Sequence, residues 1–244
     1  MNESLSSARR ELLAQLPVPL SRAGVMRLRW SLRAKLLAWE LSLGSVLVVK
    51  RTLDILISGT ALLLFSPVLL LVALLVYLDD PGPIFYTQTR VGQDGRLFPF
   101  YKFRSMRVGA DKMKDQLIQQ NESKDGVIFK MKNDPRITRV GKYLRRFSVD
   151  EAPQILNVFL GDLSIVGPRP PVPREVALYT LEDRKRLHVK PGLTCFWQIQ
   201  GRSEIPFKEQ VRLDLQYISS QGFWMDLWII IKTVPAVLLG RGAY

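Results

Sequence analysis

Residues 53–78, LDILISGTALLLFSPVLLLVALLVYL, form an apolar run with a Ser66-Pro67 pair near its middle. A hydrocarbon core of ~30 Å is crossed by ~20 apolar residues of helix, so the run is long enough to be a span. Its flanks constrain it further. The first 52 residues hold nine Arg or Lys against three acids, and after Asp79-Asp80 come Arg90, Arg96, Lys102, Arg104 and Arg107. Basic flanks favour the cytoplasm, and a straight span satisfies only one of them. Proline removes a helix N–H and clashes with the carbonyl four residues back; a hydroxyl beside it can bond the freed carbonyl. Two readings fit at this level: a kinked span, or a segment that bends and leaves by the face it entered.

The run begins too late and is too long for a cleavable signal peptide, so it is expected to stay in the mature protein. About 165 residues follow it, enough for one domain with its own core. The organisation expected is an N-terminal extension over 1–49, a membrane segment over 50–80 and a compact domain over 81–244. A net charge of +13 in 244 residues calls for an anionic partner: nucleic acid, anionic lipid or a phosphorylated substrate. A single cysteine, Cys195, excludes an internal disulfide and a cysteine-built zinc site. With one histidine, His188, a metal would have to sit on carboxylates, which suits magnesium.

Residues 24–44 mix leucines and Trp30 and Trp39 with Arg27, Arg29, Arg33 and Lys35, a pattern for an interfacial amphipathic helix or for one packed on the domain. Short strands are expected at 84–89 and 97–103, turned at Asp94-Gly95. A surface helix is expected at 111–120 and a polar loop at 121–135. Further helices are expected at 138–147, 150–160, 172–187 and 206–220. Residues 223–240 are very apolar but carry Asp226, Lys232 and Pro235, which suits a helix lying on a membrane surface.

The densest cluster of chemistry is Arg145-Arg146-Phe147-Ser148-Val149-Asp150-Glu151. Ser148-x-x-Glu151 ahead of an apolar run is a capping box, and acids in a first turn complement the helix dipole. The same two carboxylates beside two arginines could instead attack phosphorus or hold magnesium once cations neutralise the repulsion. Three more basic elements suit an anionic ligand. Lys102 and Arg104 share one face of a strand end, Arg169 sits in the Gly167-Pro168-Arg169-Pro170-Pro171 loop, and Arg202 follows Gly201. Taken singly, each arginine reads as a surface charge. Neither a Walker A loop nor a GxGxxG pattern is present, and spacing alone does not join these elements into one pocket.

The order of Lys102-Phe103-Arg104-Ser105-Met106, Asp134-Pro135-Arg136-Ile137-Thr138, Asp150-Glu151-Ala152-Pro153-Gln154, Gly167-Pro168-Arg169-Pro170, and Pro191-Gly192-Leu193-Thr194 with Gly201-Arg202 resembles the bacterial sugar transferase family over about residues 50–244. These are monotopic polyprenyl-phosphate hexose-1-phosphate transferases. The resemblance implies an α/β, mostly α, monotopic membrane protein: a re-entrant helix-break-helix anchor broken at Ser66-Pro67, and a compact cytoplasmic domain with a small β-hairpin and surface amphipathic helices. It implies transfer of a sugar-1-phosphate from a UDP-sugar to undecaprenyl phosphate, with release of UMP, at the start of exopolysaccharide, capsule, O-antigen or glycoprotein glycan assembly. Asp150 would be the nucleophile and would hold Mg2+, and Glu151 would complete the dyad. Lys102, Arg104, Arg145 and Arg202 would hold phosphates, and Arg169 would line the nucleotide site.

The implied setting is the cytoplasmic face of the bacterial inner membrane, in contact with its phospholipid, with no nucleic acid partner and with a homo-oligomer compatible. Two departures stand out. Ala152 follows the dyad where leucine is commoner in the family, and only about 50 residues precede the core where long members carry several spans and an extra domain. The rival readings are a membrane-anchored basic binding module and a nucleotide-sugar hydrolase.

Overall fold

A computed structural model describes residues 22–110, 113, 134–200 and 205–238, with side chains at 22, 25, 28, 34–46 and 236–238 outside that description. The expected helix at 111–120 and loop at 121–135 fall almost wholly outside it, as does Arg202. The chain divides into two compact units, Met1–Val48 and Val49–Tyr244. In the first, the described backbone is helical, and Met26, Trp30 and Leu32 are exposed among Arg27, Arg29 and Arg33.

The first helix, α1, runs Arg22–Asp79. Within it, Leu47–Asp79 is long and apolar enough to cross a membrane. The expected break at Ser66-Pro67 is not a break in secondary structure, because the helix continues through Pro67. The reason is local. Pro67 leaves the carbonyl of Leu63 without its usual donor, and the Ser66 hydroxyl donates to that oxygen at 2.8 Å.

Thirty-three residues of helix are ~50 Å long, well beyond a ~30 Å hydrocarbon core. The surplus is docked on protein. Lys50 donates to the Val166 carbonyl at 3.0 Å and pairs with Asp226. Arg51 donates to the carbonyls of Val158 and Phe159. Asp54, inside the apolar run, is 4% exposed and accepts from Ser164 Oγ and the Ile165 N–H. At the far end, Val72 and Val76 pack with Phe103 and Leu144, and Asp79 accepts from the Val140 N–H. Between these ends Leu63, Leu64, Phe65, Val68, Leu70 and Leu71 are exposed. The stretch between the docked ends, Gly59 to Leu71, is then ~20 Å of helix.

Strands β1 (Phe85–Val91) and β2 (Leu97–Phe103) form the expected hairpin, antiparallel and registered Tyr86 to Lys102, Gln88 to Phe100 and Arg90 to Phe98. Asp94 (φ 54°) and Gly95 (φ 83°) supply the left-handed turn residues. Helix α2 (Arg139–Arg146) starts at Thr138, whose hydroxyl accepts from the Gly141 N–H at 2.9 Å. Helix α3 (Gln154–Leu160) packs against β2 through Asn157, which accepts from the Tyr101 N–H and donates to the Pro99 carbonyl.

One expected helix here needs correction. A single helix over 172–187 is instead the short α4 (Pro173–Val176) and a 3₁₀ turn, Asp183–His188. Thr180 and Asp183 cap one another, with the Asp183 carboxylate accepting from the Thr180 N–H and Oγ1, so the chain restarts there. Unforeseen is a second sheet, in which β3 (Ser164–Val166) and β4 (Gly192–Thr194) pair in parallel. A Cβ on Gly192 would lie 2.1 Å from the Gly167 nitrogen, so this approach admits only glycine.

Helices α5 (Phe207–Ser220) and α6 (Phe223–Leu238) close the fold. Ile229 of α6 is fully buried with Val166, Cys195, Phe196, Trp197, Leu213 and Tyr217, whereas Trp224, Ile231 and Val234 are exposed. Asp226 interrupts the apolar sequence because it accepts from the Tyr217 hydroxyl at 2.7 Å and pairs with Lys50.

Candidate active site

The dyad does not sit in a capping box. Ser148 adopts the left-handed conformation (φ 55°, ψ 22°) and its side chain makes no capping bond. The chain turns through a 3₁₀ segment, Val149–Glu151, and α3 begins only at Gln154. Left-handed backbone costs a non-glycine residue of order 1–2 kcal/mol, and such strain gathers at functional sites. Glu151 does not reach back along its own chain. Its Oε1 accepts from Lys102 Nζ at 2.6 Å, across 49 residues of sequence.

Lys102 comes from β2, on the sheet face it shares with Phe100, and its Nζ lies 5.5 Å from the Phe100 ring centroid. Asp150 is buried, at 9% exposure. Burial pushes its carboxyl up to about 6, with Glu151 adding repulsion while Lys102 and Arg145 pull the other way. The two neighbouring acids are thus driven apart. Burial would also raise Glu151, but Lys102, Arg169 and Arg90 outweigh it and hold that carboxyl down at about 2. One member of the dyad titrates near neutrality and the other stays charged.

Arg145 lies in the last turn of α2, within electrostatic reach of Asp150 and of Asp134. Arg169 is the exposed member of an otherwise buried loop, with its guanidinium 5.9 Å from the Trp197 ring centroid, and it acts on Glu151. Lys102, Arg145 and Arg169 are therefore gathered around the dyad. Arg104 is not. It turns to Asp80, donating to its carbonyl and lying 3.4 Å from its carboxylate, and ties the end of α1 to the hairpin. The expectation that Arg104 shares a face with Lys102 fails because β2 ends at Phe103.

Sequence reading missed Arg90. It is 8% exposed, lies over the Phe100 ring at 5.2 Å, and donates to the Pro170 carbonyl at 2.9 Å. Its signal was available: with β1 continued through Val91, Arg90 lies on the same sheet face as Tyr86, the partner of Lys102. Among the described residues no group of three His, Cys, Asp or Glu could hold a metal ion. Magnesium needs no such cage, since it binds through one or two carboxylates with phosphate oxygens and water completing the shell. A single buried carboxylate such as Asp150 is compatible with that mode of binding.

The model of the family described as bacterial sugar transferase matches residues 45–240. The galactosyl transferase CpsE of Streptococcus agalactiae is 46% identical over 200 residues, covering 82% of this chain and 44% of that protein. The exopolysaccharide production protein ExoY of Rhizobium meliloti is 42% identical over 200 residues, covering 81% of this chain and 88% of ExoY. The UDP-glucose:undecaprenyl-phosphate glucose-1-phosphate transferase of Escherichia coli is 41% identical over 205 residues, covering 81% of this chain and 42% of that protein. The chain thus spans less than half the length of some of these relatives and nearly all of ExoY.

Proposed function

The chain belongs to the bacterial sugar transferase family, and we propose that it transfers a hexose-1-phosphate from a UDP-sugar to undecaprenyl phosphate, releasing UMP. The observation that carries the chemistry is the setting of the dyad: a buried Asp150, its carboxyl pushed up to about 6, beside a Glu151 that accepts from Lys102 Nζ at 2.6 Å, with Arg145 and Arg169 in electrostatic reach. At pH 7 Asp150 is then about tenfold more ionised than neutral. An Asp150 oxygen attacks the sugar-bearing phosphorus, the bond from that phosphorus to the bridging oxygen breaks, and UMP leaves with the electron pair. An oxygen of undecaprenyl phosphate then attacks the same phosphorus, and the Asp150 carboxylate is released.

Carboxylate attack on an anion is opposed by about 4 kcal/mol per charge pair at 4 Å and an effective dielectric of ~20. Cations around the dyad remove that opposition. Glu151, held charged, supplies no proton; it fixes Lys102 on the face where the phosphate arrives. Magnesium, when bound by Asp150 and the diphosphate, would supply further neutralisation of charge on the leaving UMP.

The setting proposed is the cytoplasmic face of the bacterial inner membrane, with residues 50–80 re-entrant. Support comes from bonds at both ends of that segment to one domain: Lys50, Arg51 and Asp54 to residues 158–166 and 226, and Val72, Val76 and Asp79 to residues 103, 140 and 144. A through-span would carry one end across the bilayer, away from those partners.

The test is purified full chain with magnesium and a panel of UDP-sugars, following UMP. Release that requires undecaprenyl phosphate is expected for a matching sugar. Steady UMP release without lipid acceptor would make the protein a hydrolase instead.

A further inference from the structure

The loop Gly167–Pro171 carries three prolines, so it has few N–H groups with which to anchor itself. Its carbonyls are anchored instead, four in succession. The Pro168 oxygen accepts from the Gly192 N–H at 2.9 Å, and the Pro171 oxygen from the Val91 N–H at 2.9 Å. The Pro170 oxygen accepts from Arg90 Nη1 at 2.9 Å, and the Arg169 oxygen from Arg186 Nη2 at 3.5 Å, the weakest of the four. Three segments distant in sequence converge on this loop, and the side chain it leaves exposed is that of Arg169.

Two of these four donors are buried guanidinium groups. Arg90 is 8% exposed and Arg186 is 4% exposed. Burying a charge is costly before any compensation, and a neutral donor or water could satisfy a carbonyl without that cost. Arg186 also requires a counter-charge, the fully buried Asp214, and it donates through Nη1 to the Tyr179 hydroxyl at 3.2 Å. Arg90 stands close enough to Arg169 for the two to repel: its own pKa is lowered to about 10, by burial and then by Arg169. Glu175 and Glu151 offset part of that repulsion, and both buried guanidiniums stay bonded to the loop.

We propose that Arg90 and Arg186, the latter with Asp214 as its counter-charge, are positioning residues for Arg169. They fix the backbone at Arg169 and Pro170, so the Arg169 guanidinium meets the diphosphate of the nucleotide sugar without ordering a loop at that moment. The inference rests on the proposed transferase reading, in which Arg169 lines the nucleotide-sugar site.

The experiment is steady-state kinetics of the full chain in lipid, with Arg90→Lys, and separately Arg186→Met combined with Asp214→Leu, each made with Arg169 intact and with Arg169→Ala. Replacing both members of a buried pair by apolar residues leaves no orphaned charge. Arg90→Lys retains the buried charge, and it is read alone if the double replacement yields no folded protein by thermal unfolding. With Arg169 intact, each change is expected to raise KM for the UDP-sugar about tenfold and to alter kcat less than about threefold. With Arg169→Ala present, the same changes should cost under about twofold, because the group they position is gone. Equal losses in both backgrounds would overturn the proposal, since the arginines would then serve the fold alone. An unchanged KM in Arg169→Ala by itself would remove Arg169 from the substrate site, and the positioning role with it.

Discussion

Asp54 and Asp150 are both aspartates buried in the same unit, at 4% and 9% exposure, and they are put to opposite uses. Asp54 spends its carboxylate on the protein, taking the Ser164 hydroxyl and the Ile165 N–H, which fixes the start of the apolar helix on β3. Asp150 is buried among charges, on a backbone strained at Ser148, and its pKa is moved to about 6. Burial with donors makes a staple. Burial among partly opposed charges makes a group that is costly to ionise and therefore reactive, and that is the mark of a functional site.

The largest expected effect separates the two directly. Asp150→Asn should lower lipid-dependent UMP release by at least about 10³-fold while the protein stays folded, because the proposed nucleophile is gone. Trapping a radiolabelled phosphosugar on the wild-type chain and not on the variant checks the covalent step. Asp54→Ala should do the reverse: a loss of about 1–3 kcal/mol in denaturant unfolding, from the stranded Ile165 N–H, with kcat of the folded protein nearly unchanged. Transfer activity that survives Asp150→Asn would erase the contrast.

The next effect concerns pH. Lys102 helps hold the Asp150 pKa down, so Lys102→Met should move the acid limb of kcat/KM upward from its position near 6, with a loss of about 10²-fold at pH 7. A limb that stays in place would mean that Asp150 is not the titrating group. Stability carries the same signature. The folded pKa of Asp150 lies above the ordinary carboxylate value of 3.8. The native state therefore binds more protons between the two, and stability falls as pH rises from about 4 to about 6. That fall should shrink in Asp150→Asn, leaving the share of the buried Asp214, whose carboxyl burial also pushes up to about 6, measured by denaturant unfolding in chelator. The smallest effect is Ser66→Ala, which frees the Leu63 carbonyl and should cost about 0.5–1.5 kcal/mol in lipid.

Local rules read well wherever local bonds decide. The hairpin with its Asp94-Gly95 turn, the Thr138 start of α2 and the body of α5 follow from patterning and turn chemistry alone. The capping box at Ser148 does not survive, because Lys102, 49 residues away, offers Glu151 a stronger partner than a backbone N–H. The parallel pairing of β3 and β4 is invisible to periodicity in strands of three residues. The dyad, Lys102, Arg145 and Arg169 were legible by their order along the chain. Arg90 and Asp54 were passed over as one more basic residue and as part of an apolar run, though an acid inside such a run is itself a signal.

Cys195, in the core beside Trp197, is 1% exposed, and burial pushes its thiol well above the ordinary range. A thiolate is the species that alkylates, so the wild-type chain is expected to stay unlabelled by maleimide reagents, which a mass-spectrometric control checks. New cysteines can therefore be introduced one at a time without first removing a native one. Leu47→Cys and Pro81→Cys, at exposed positions on either side of the apolar run, become clean reporters of sidedness. With an impermeant maleimide added outside intact cells, both should stay unlabelled, and labelling of one alone would establish a through-span.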